Sequence, residues 1–296
     1  MKKVIAVIGA TGSQGRGVVN ALVKENKFKV RALTRNPDNY SGNADEVVKA
    51  DLNNPKLMDE ALQGVYGVFA VTNFWEGADE IKQGTTVVNS AIKAGVKHFV
   101  WSTLPNVKEI SKDKFQVPHF TFKAEVDEVV KNAGFDRYTF VQPPFYFQNF
   151  TSTLAPRVQK DGRKGWVLPI DPAKKVIHMA DINDLGKVVA GAFEQPEKVG
   201  NGEYLSLSSE ILSFNEIIET LNKQGHNFTF QQVTSEVFST FFEGAHELAE
   251  MFGYFEEYTY MGPSSDSRIK LANQVSTESF SSFTEWAKVN LKIGKQ

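Results

Sequence analysis

Two short stretches of this 296-residue chain carry groups able to do chemistry. The first, "GATGSQG", places Gly9, Gly12 and Gly15 directly after the β-branched run "KVIAVIGA" and at the opening of a stretch with helical spacing. Glycines there let the backbone turn sharply and let a phosphate approach the helix N-terminus, where free N–H groups and the helix dipole hold an anion. The spacing is G-x-x-G-x-x-G rather than the G-x-G-x-x-G of the standard dinucleotide fingerprint, but the strand–loop–helix context points to a pyrophosphate. The second stretch, "HFTFKAEV", sets His119 four residues ahead of Lys123, on adjacent turns of one helix face. An imidazole can exchange a proton near neutral pH. The pair therefore reads either as acid and base, or as a helix that points a lysine at a bound ligand. In the second case His119, which follows Pro118, is a capping or solvent-facing residue.

Further candidates sit where strands end. "ALTRNPD" closes the second strand with Thr34 and Arg35 and no acid. An acid there would serve the ribose hydroxyls of NAD, whereas a guanidinium forks onto a 2′-phosphate, so NADP is expected over NAD. Asp51 in "KADLNN", with Leu52 beside it, follows the third strand and suits either the adenine amino group or a helix cap. Val71, Thr72 and Asn73 end the fourth strand at the edge where open α/β sheets bind ligands, with Phe74 and Trp75 as walls. Ser102 and Thr103 end the fifth strand on the same edge.

The elements that must position these groups alternate over the first 150 residues. Short apolar strands are separated by helical stretches, among them "PHFTFKAEVDEVVKNAG" with Phe122, Val126, Val129 and Val130 expected on its buried side. Continuous apolar strands joined by helices imply parallel pairing, so the fold class is α/β, a Rossmann-type doubly wound parallel sheet. After "QPPFYFQNF" the rhythm weakens. Asp181 is expected to cap a helix ending near Glu194, and Ser213 with Glu216 forms a capping-box pattern. We read residues 1–150 as the nucleotide-binding domain and 151–296 as a smaller α+β C-terminal lobe for a ligand or partner, with a soft boundary near 145–155 and later segments free to return to the sheet. The 23 phenylalanines fill a core or leave part of a docking surface.

Composition narrows the classes. The 33 basic and 35 acidic residues nearly cancel, so neither nucleic acid nor an anionic membrane is expected as a direct partner. The absence of cysteine excludes disulfides and thiol catalysis. Five scattered histidines lack metal-ligand spacing, and "HELAEMF" lacks the second histidine of a zinc motif. No run approaches the roughly 18 apolar residues of a membrane span. A soluble, cytoplasmic chain is expected, with nuclear residence also allowed.

Taken together, "GATGSQG", "VRALTRNPD", "VTNFWE" with "IKQG", "HFTFKAEVDE" and "PPFYFQN" resemble the NmrA-like family of atypical short-chain dehydrogenase/reductases, above all its eukaryotic redox-sensor members. The resemblance implies an NADP-binding Rossmann domain and a lobe that passes the cofactor ratio to protein partners, including transcriptional or metabolic regulators, with a homodimer also compatible. It implies a pyrophosphate loop of Gly9, Ala10, Thr11, Gly12, Ser13 and Gln14, and a 2′-phosphate site of Arg35 with Asn36 to Asn39. It also implies cofactor contacts from Thr72, Asn73 and Lys82, with Lys123 on the nicotinamide ribose. Tyr146, Phe147, Gln148 and Asn149 would line the nicotinamide end. The family more often shows Glu where this chain has Gln148, so a charge is missing there. His119 stands where short-chain dehydrogenases carry a catalytic tyrosine, and Ser102 corresponds to their helper serine. Three functions are therefore weighed: an NADP(H) sensor without efficient turnover, an NADPH-dependent reductase of a quinone or small carbonyl compound, and a structural adaptor whose cofactor only stabilises it. No residue is assigned to catalysis outright.

Overall fold

Short, largely apolar runs make the main sheet of the computed structural model, which describes residues 2–77, 79–159 and 162–291. Val4–Ile8 (β1), Lys29–Thr34 (β2), Glu46–Lys49 (β3), Gly67–Ala70 (β4), His98–Ser102 (β5) and Arg137–Gln142 (β6) pair in parallel. Helices α1 (Ser13–Glu25), α2 (Pro55–Ala61), α3 (Glu80–Lys93), α4 (Val107–Ser111) and α5 (Pro118–Asn132) connect them. Three of the five β5 positions, like all of β4, carry apolar residues or glycine buried on both faces, because helices cover both sides.

The second half contributes β7 (Phe145–Tyr146), β8 (Arg157–Val158), β9 (Lys164–Leu168), β10 (Ile177–Ala180), α6 (Asp184–Glu194), α7 (Pro196–Val199), β11 (Asn201–Ser206), β12 (Glu210–Leu212), α8 (Phe214–Lys223), β13 (Phe228–Gln232), α9 (Ser235–Phe238), α10 (Ala245–Tyr258), α11 (Ser265–Val275) and α12 (Phe283–Asn290). The main sheet has the order β11-β6-β5-β4-β1-β2-β3. Its direction of growth reverses between β1 and β4, which opens a crevice beyond their carboxyl ends. β10 pairs with β7 and β12 in a second sheet, and β9 with β8 and β13 in a third. The architecture is thus a doubly wound parallel sheet with a smaller α+β portion.

The chain re-enters the first-half sheet late. β11 pairs in parallel with β6, and α6 packs on α1 so closely that a Cβ on Gly186 would stand 2.2 Å from the Gly17 carbonyl oxygen. The smaller portion is filled by rings, including Phe147, Phe150, Trp166, Phe214, Phe252, Phe255 and Trp286. Most aromatics are therefore core.

Two local expectations are corrected. The inner face of α5 carries His119, Phe120, Lys123, Val126, Asp127 and Val130, while Phe122 and Val129 are only partly buried. Polar groups with internal partners occupy that face, a pattern apolar periodicity does not reveal. Asp181 does not cap α6, which starts at Asp184. Its Oδ1 instead accepts from the Asn183 N–H and from the Gln148 amide, making the preceding turn. The Ser213–Glu216 capping box is present in both directions.

Candidate functional site

A cleft of about 380 Å³ lies where the strand order reverses. The loop after β1 forms one wall. Gly9 adopts φ +67°, and the Gly12 N–H donates to the Gly9 carbonyl at 2.8 Å. A Cβ on Gly15 would stand 2.2 Å from that same oxygen, so glycine is what lets α1 close against the loop. Gly12 caps α1 with no side-chain bond, and the first turn holds no acid. Among the described residues, the N–H groups of Thr11, Ser13 and Gln14 have no protein acceptor. Free donors at the positive end of a helix make a cradle for an anion. Gly9, Thr11, Gly12, Ser13, Gln14 and Gly15 line the cleft, with Ala10 buried behind them. Ser102 is fully buried, and its Oγ donates to Gln14 Oε1 at 2.8 Å, bracing the loop from beneath.

At the outer end, Arg35 lies exposed at the tip of β2 with Nη1 3.0 Å from Glu76 Oε2. Both residues line the cleft, so the pair spans its mouth. Asn36 precedes the short turn Pro37–Asn39 and Asn39 ends it, both exposed and outside the lining. Asp51 and Leu52 line the cleft after β3, and Asp51 Oδ1 accepts from the Asn53 N–H at 2.9 Å. Lys82 is exposed on α3, away from the lining.

The inner end is built from Val71, Thr72, Asn73 and Tyr146, all lining residues. Behind Thr72 lies Lys123. Its Nζ donates to the Thr72 carbonyl at 2.8 Å, to Thr72 Oγ1 at 3.0 Å and to Glu80 Oε1 at 2.7 Å. Burial pulls the Lys123 pKa down, against the opposing pull of Glu80. Lys123 therefore reaches the cleft through Thr72 and is not itself part of its surface. Among the described residues the buried Tyr146 hydroxyl has no hydrogen-bond partner, and its burial pushes its pKa well above the usual tyrosine value. Phe147 is core, and Asn149 is partly buried outside the lining. Gln148 donates to Asp181 Oδ1 at 2.9 Å and accepts from the Ile182 N–H at 3.0 Å, holding Ile182 against the cleft.

His119 is buried rather than solvent-facing. Its Nδ1 lies 2.5 Å from Glu247 Oε1 on α10, and its backbone N–H donates to the same oxygen at 3.2 Å. Burial pushes the Glu247 carboxyl up, but the combined contacts with His119 hold it below the usual carboxylate range. The imidazole packs against Trp75 at 5.1 Å and Phe74 at 5.9 Å between ring centres.

Glu76, Asn53, Gln83 and Ile182 also line the cleft and were not singled out by sequence. Glu76, Asn53 and Gln83 lie inside the motifs "VTNFWE", "KADLNN" and "IKQG", which carry no local sign of their place in the lining. Glu247, separated from His119 by 128 residues, lies in "HELAEMF", where nothing local links it to that histidine. Among the described residues no cluster of three or more His, Cys, Asp or Glu could hold a metal, and no helix is long and apolar enough to cross a membrane.

Known proteins resemble this chain over most of its length. The model of the NmrA-like family matches residues 1–288. An NmrA-like family domain-containing protein of Dictyostelium discoideum is 32% identical over 272 residues, covering 87% of this chain and 89% of that protein. The NmrA-like family domain-containing oxidoreductase FrzB of Cladobotryum sp. is 31% identical over 261 residues, covering 80% of this chain and 75% of FrzB. Among solved structures, the negative transcriptional regulator NmrA in complex with NADP superposes with a TM-score of 0.80 at 23% identity, covering 97% of this chain and 94% of that one. The same regulator is also known in complex with NAD. At that identity the structural likeness carries the fold alone.

Proposed function

The chain belongs to the NmrA-like family, and from that premise we propose that it binds NADP(H) in this cleft and works as a redox sensor, signalling through protein partners without efficient turnover. The residues suit the cofactor. Unpaired N–H groups of Thr11, Ser13 and Gln14 fit a pyrophosphate, and a Cβ at Gly15 would destroy the loop that presents them. Arg35 follows the end of β2, where the sequence carries no acid, and can fork onto a 2′-phosphate.

The observation that carries the sensor reading is a series of contacts from that end of the cleft to the C-terminal lobe. Arg35 pairs with Glu76; Glu76 shares a 3₁₀ turn with Trp75; Trp75 packs on His119; His119 is held by Glu247 of α10. A 2′-phosphate competes with Glu76 for Arg35, and a dinucleotide lacking it does not. Such a difference is what a two-state response requires.

A second reading, an NADPH-dependent reductase of a quinone or small carbonyl compound, rests on the His119–Glu247 pair. The bound cofactor would supply a hydride to the carbonyl carbon, and the carbonyl oxygen must then take a proton. With Nδ1 donating to the Glu247 carboxylate, His119 Nε2 is left to hold that proton and release it. Several curated relatives carry oxidoreductase names, FrzB among them.

One sample decides between the readings. Amide exchange across Ala245–Tyr258 is followed with NADPH and with NADH, and NADPH consumption is followed over a panel of quinones and aldehydes. The sensor reading expects exchange in α10 to slow with NADPH only, with no consumption. Consumption that disappears in His119→Ala and drops in Glu247→Gln replaces it with the reductase.

A further inference from the structure

A second cavity, larger than the nucleotide cleft at about 580 Å³, opens between the β8–β9 hairpin and the α9–α10 segment and shares no lining residue with the cleft. Volumes of roughly 300–1,000 Å³, apolar walls and few polar groups are the usual properties of small-molecule sites. The floor is rigid. Trp166 and Leu168 from β9 and Phe238 from α9 are each 3% exposed. The Trp166 ring is wedged among Phe150, Phe214 and Phe228, with Nε1 donating to the Leu154 carbonyl at 2.7 Å. The rim is unusual in the opposite sense. Of the eight large apolar side chains most exposed among the described residues, Val158, Phe241 and Phe242 line this mouth and Val237 adjoins it. Two half-exposed phenylalanines held beside a preformed hollow call for an apolar occupant.

The polar lining defines the head group of that occupant. Among the described residues no Asp or Glu lines the cavity. Gln159 directs its amide N–H groups to the Arg157 and Gly165 carbonyls and is occupied in fastening β8 to β9. Among the described residues Arg157 is the lone charged lining residue, and its guanidinium makes no hydrogen bond or ion pair there. We propose that this cavity binds an amphipathic carboxylate, its apolar body between Trp166, Phe238, Phe241 and Phe242 and its anionic head on Arg157. This site is independent of the cofactor reading, because neither its residues nor its chemistry enter the cleft.

The test is a calorimetric titration of the full chain with decanoate and with decanol, in the parent protein, Arg157→Glu and Phe242→Ser. Both variants lie at exposed positions, and their melting temperatures check that they fold. One decanoate is expected to bind per chain, about tenfold more tightly than decanol, the scale of one charge-assisted contact. Arg157→Glu should remove that preference while leaving decanol binding intact, and Phe242→Ser should weaken both ligands. Equal affinity for the two ligands overturns the carboxylate assignment. Binding unchanged in Phe242→Ser overturns the location. Absence of saturable binding also overturns the proposal, and self-association relieved by Phe242→Ser would assign the rim to a second copy of the chain instead.

Discussion

Lys123 directs its ammonium at three internal acceptors, and one of them, Glu80, is 1% exposed. Breaking a buried pair by removing one partner leaves the other charge stranded, at about 3–5 kcal/mol. Lys123→Ala is therefore expected to lower the unfolding free energy by that order, measured by urea denaturation. Adding Glu80→Gln to Lys123→Met should recover most of the loss, because an uncharged pair needs no compensation. A loss of cofactor affinity in Lys123→Ala alone would thus not by itself identify a ribose contact. At the mouth of the cleft, Glu76 occupies Arg35 in an exposed pair worth roughly 0–1 kcal/mol. Glu76→Gln should accordingly tighten NADPH by up to about fivefold while leaving NADH unchanged; an equal gain for both would separate Glu76 from the phosphate site. "GATGSQG" and "TRNPD" were readable because their chemistry is local. The partners of His119, Lys123 and Arg35 were not, since Glu247, Glu80 and Glu76 meet them only through the fold.

Helix α1 sits between two close approaches, Gly15 against the Gly9 carbonyl and Gly17 against Gly186 of α6. The second approach ties a late helix to the cradle. Gly186→Ala would drive a methyl to within 2.2 Å of the Gly17 oxygen. Overpacking of that kind costs about 1–3 kcal/mol, so a lower denaturant midpoint is expected, and an unchanged midpoint would mean that α6 shifts freely. Strands such as β1 and β4 are legible because strands covered on both faces show unbroken apolar runs, whereas β3 lies at the exposed edge. The return of β11 to the edge of the same sheet was left open, since "GEYLSLS" reads as a strand without saying which sheet receives it. The inner face of α5 was misjudged for the opposite reason. His119, Lys123 and Asp127 are buried because each has an internal partner, and periodicity counts only apolar residues.

Across the whole molecule, both portions bury a histidine. His98 in β5 lies with Nε2 2.9 Å from Thr139 Oγ1, and His178 lies in β10. Burial pulls each down to about 4. An unfolded histidine titrates near 6.5. Between pH 6.5 and 4 the unfolded chain therefore takes up protons that the native chain refuses. The stability these groups contribute is complete above 6.5 and is lost as pH falls towards 4, at about 1.4 kcal/mol per pH unit for each. Urea unfolding at pH 7 and pH 5 should differ by roughly 2–4 kcal/mol from this source, and His98→Gln should shrink the difference. A difference unchanged in that variant would remove His98 from the account. The aromatic second half could be read as core or as surface, and it is both: a ring-filled interior with a few exposed rings at one cavity mouth.

The central claim concerns the cofactor and which dinucleotide the cleft prefers. Titration of NADPH, NADP, NADH and NAD into the parent chain and into Arg35→Glu tests it directly. The account predicts that the phosphorylated pair binds more tightly. It also predicts that Arg35→Glu weakens that pair by at least about tenfold, the scale of a lost charge-assisted contact, while the unphosphorylated pair changes little. Equal losses for all four, or tighter binding of NADH than of NADPH by the parent chain, would contradict it.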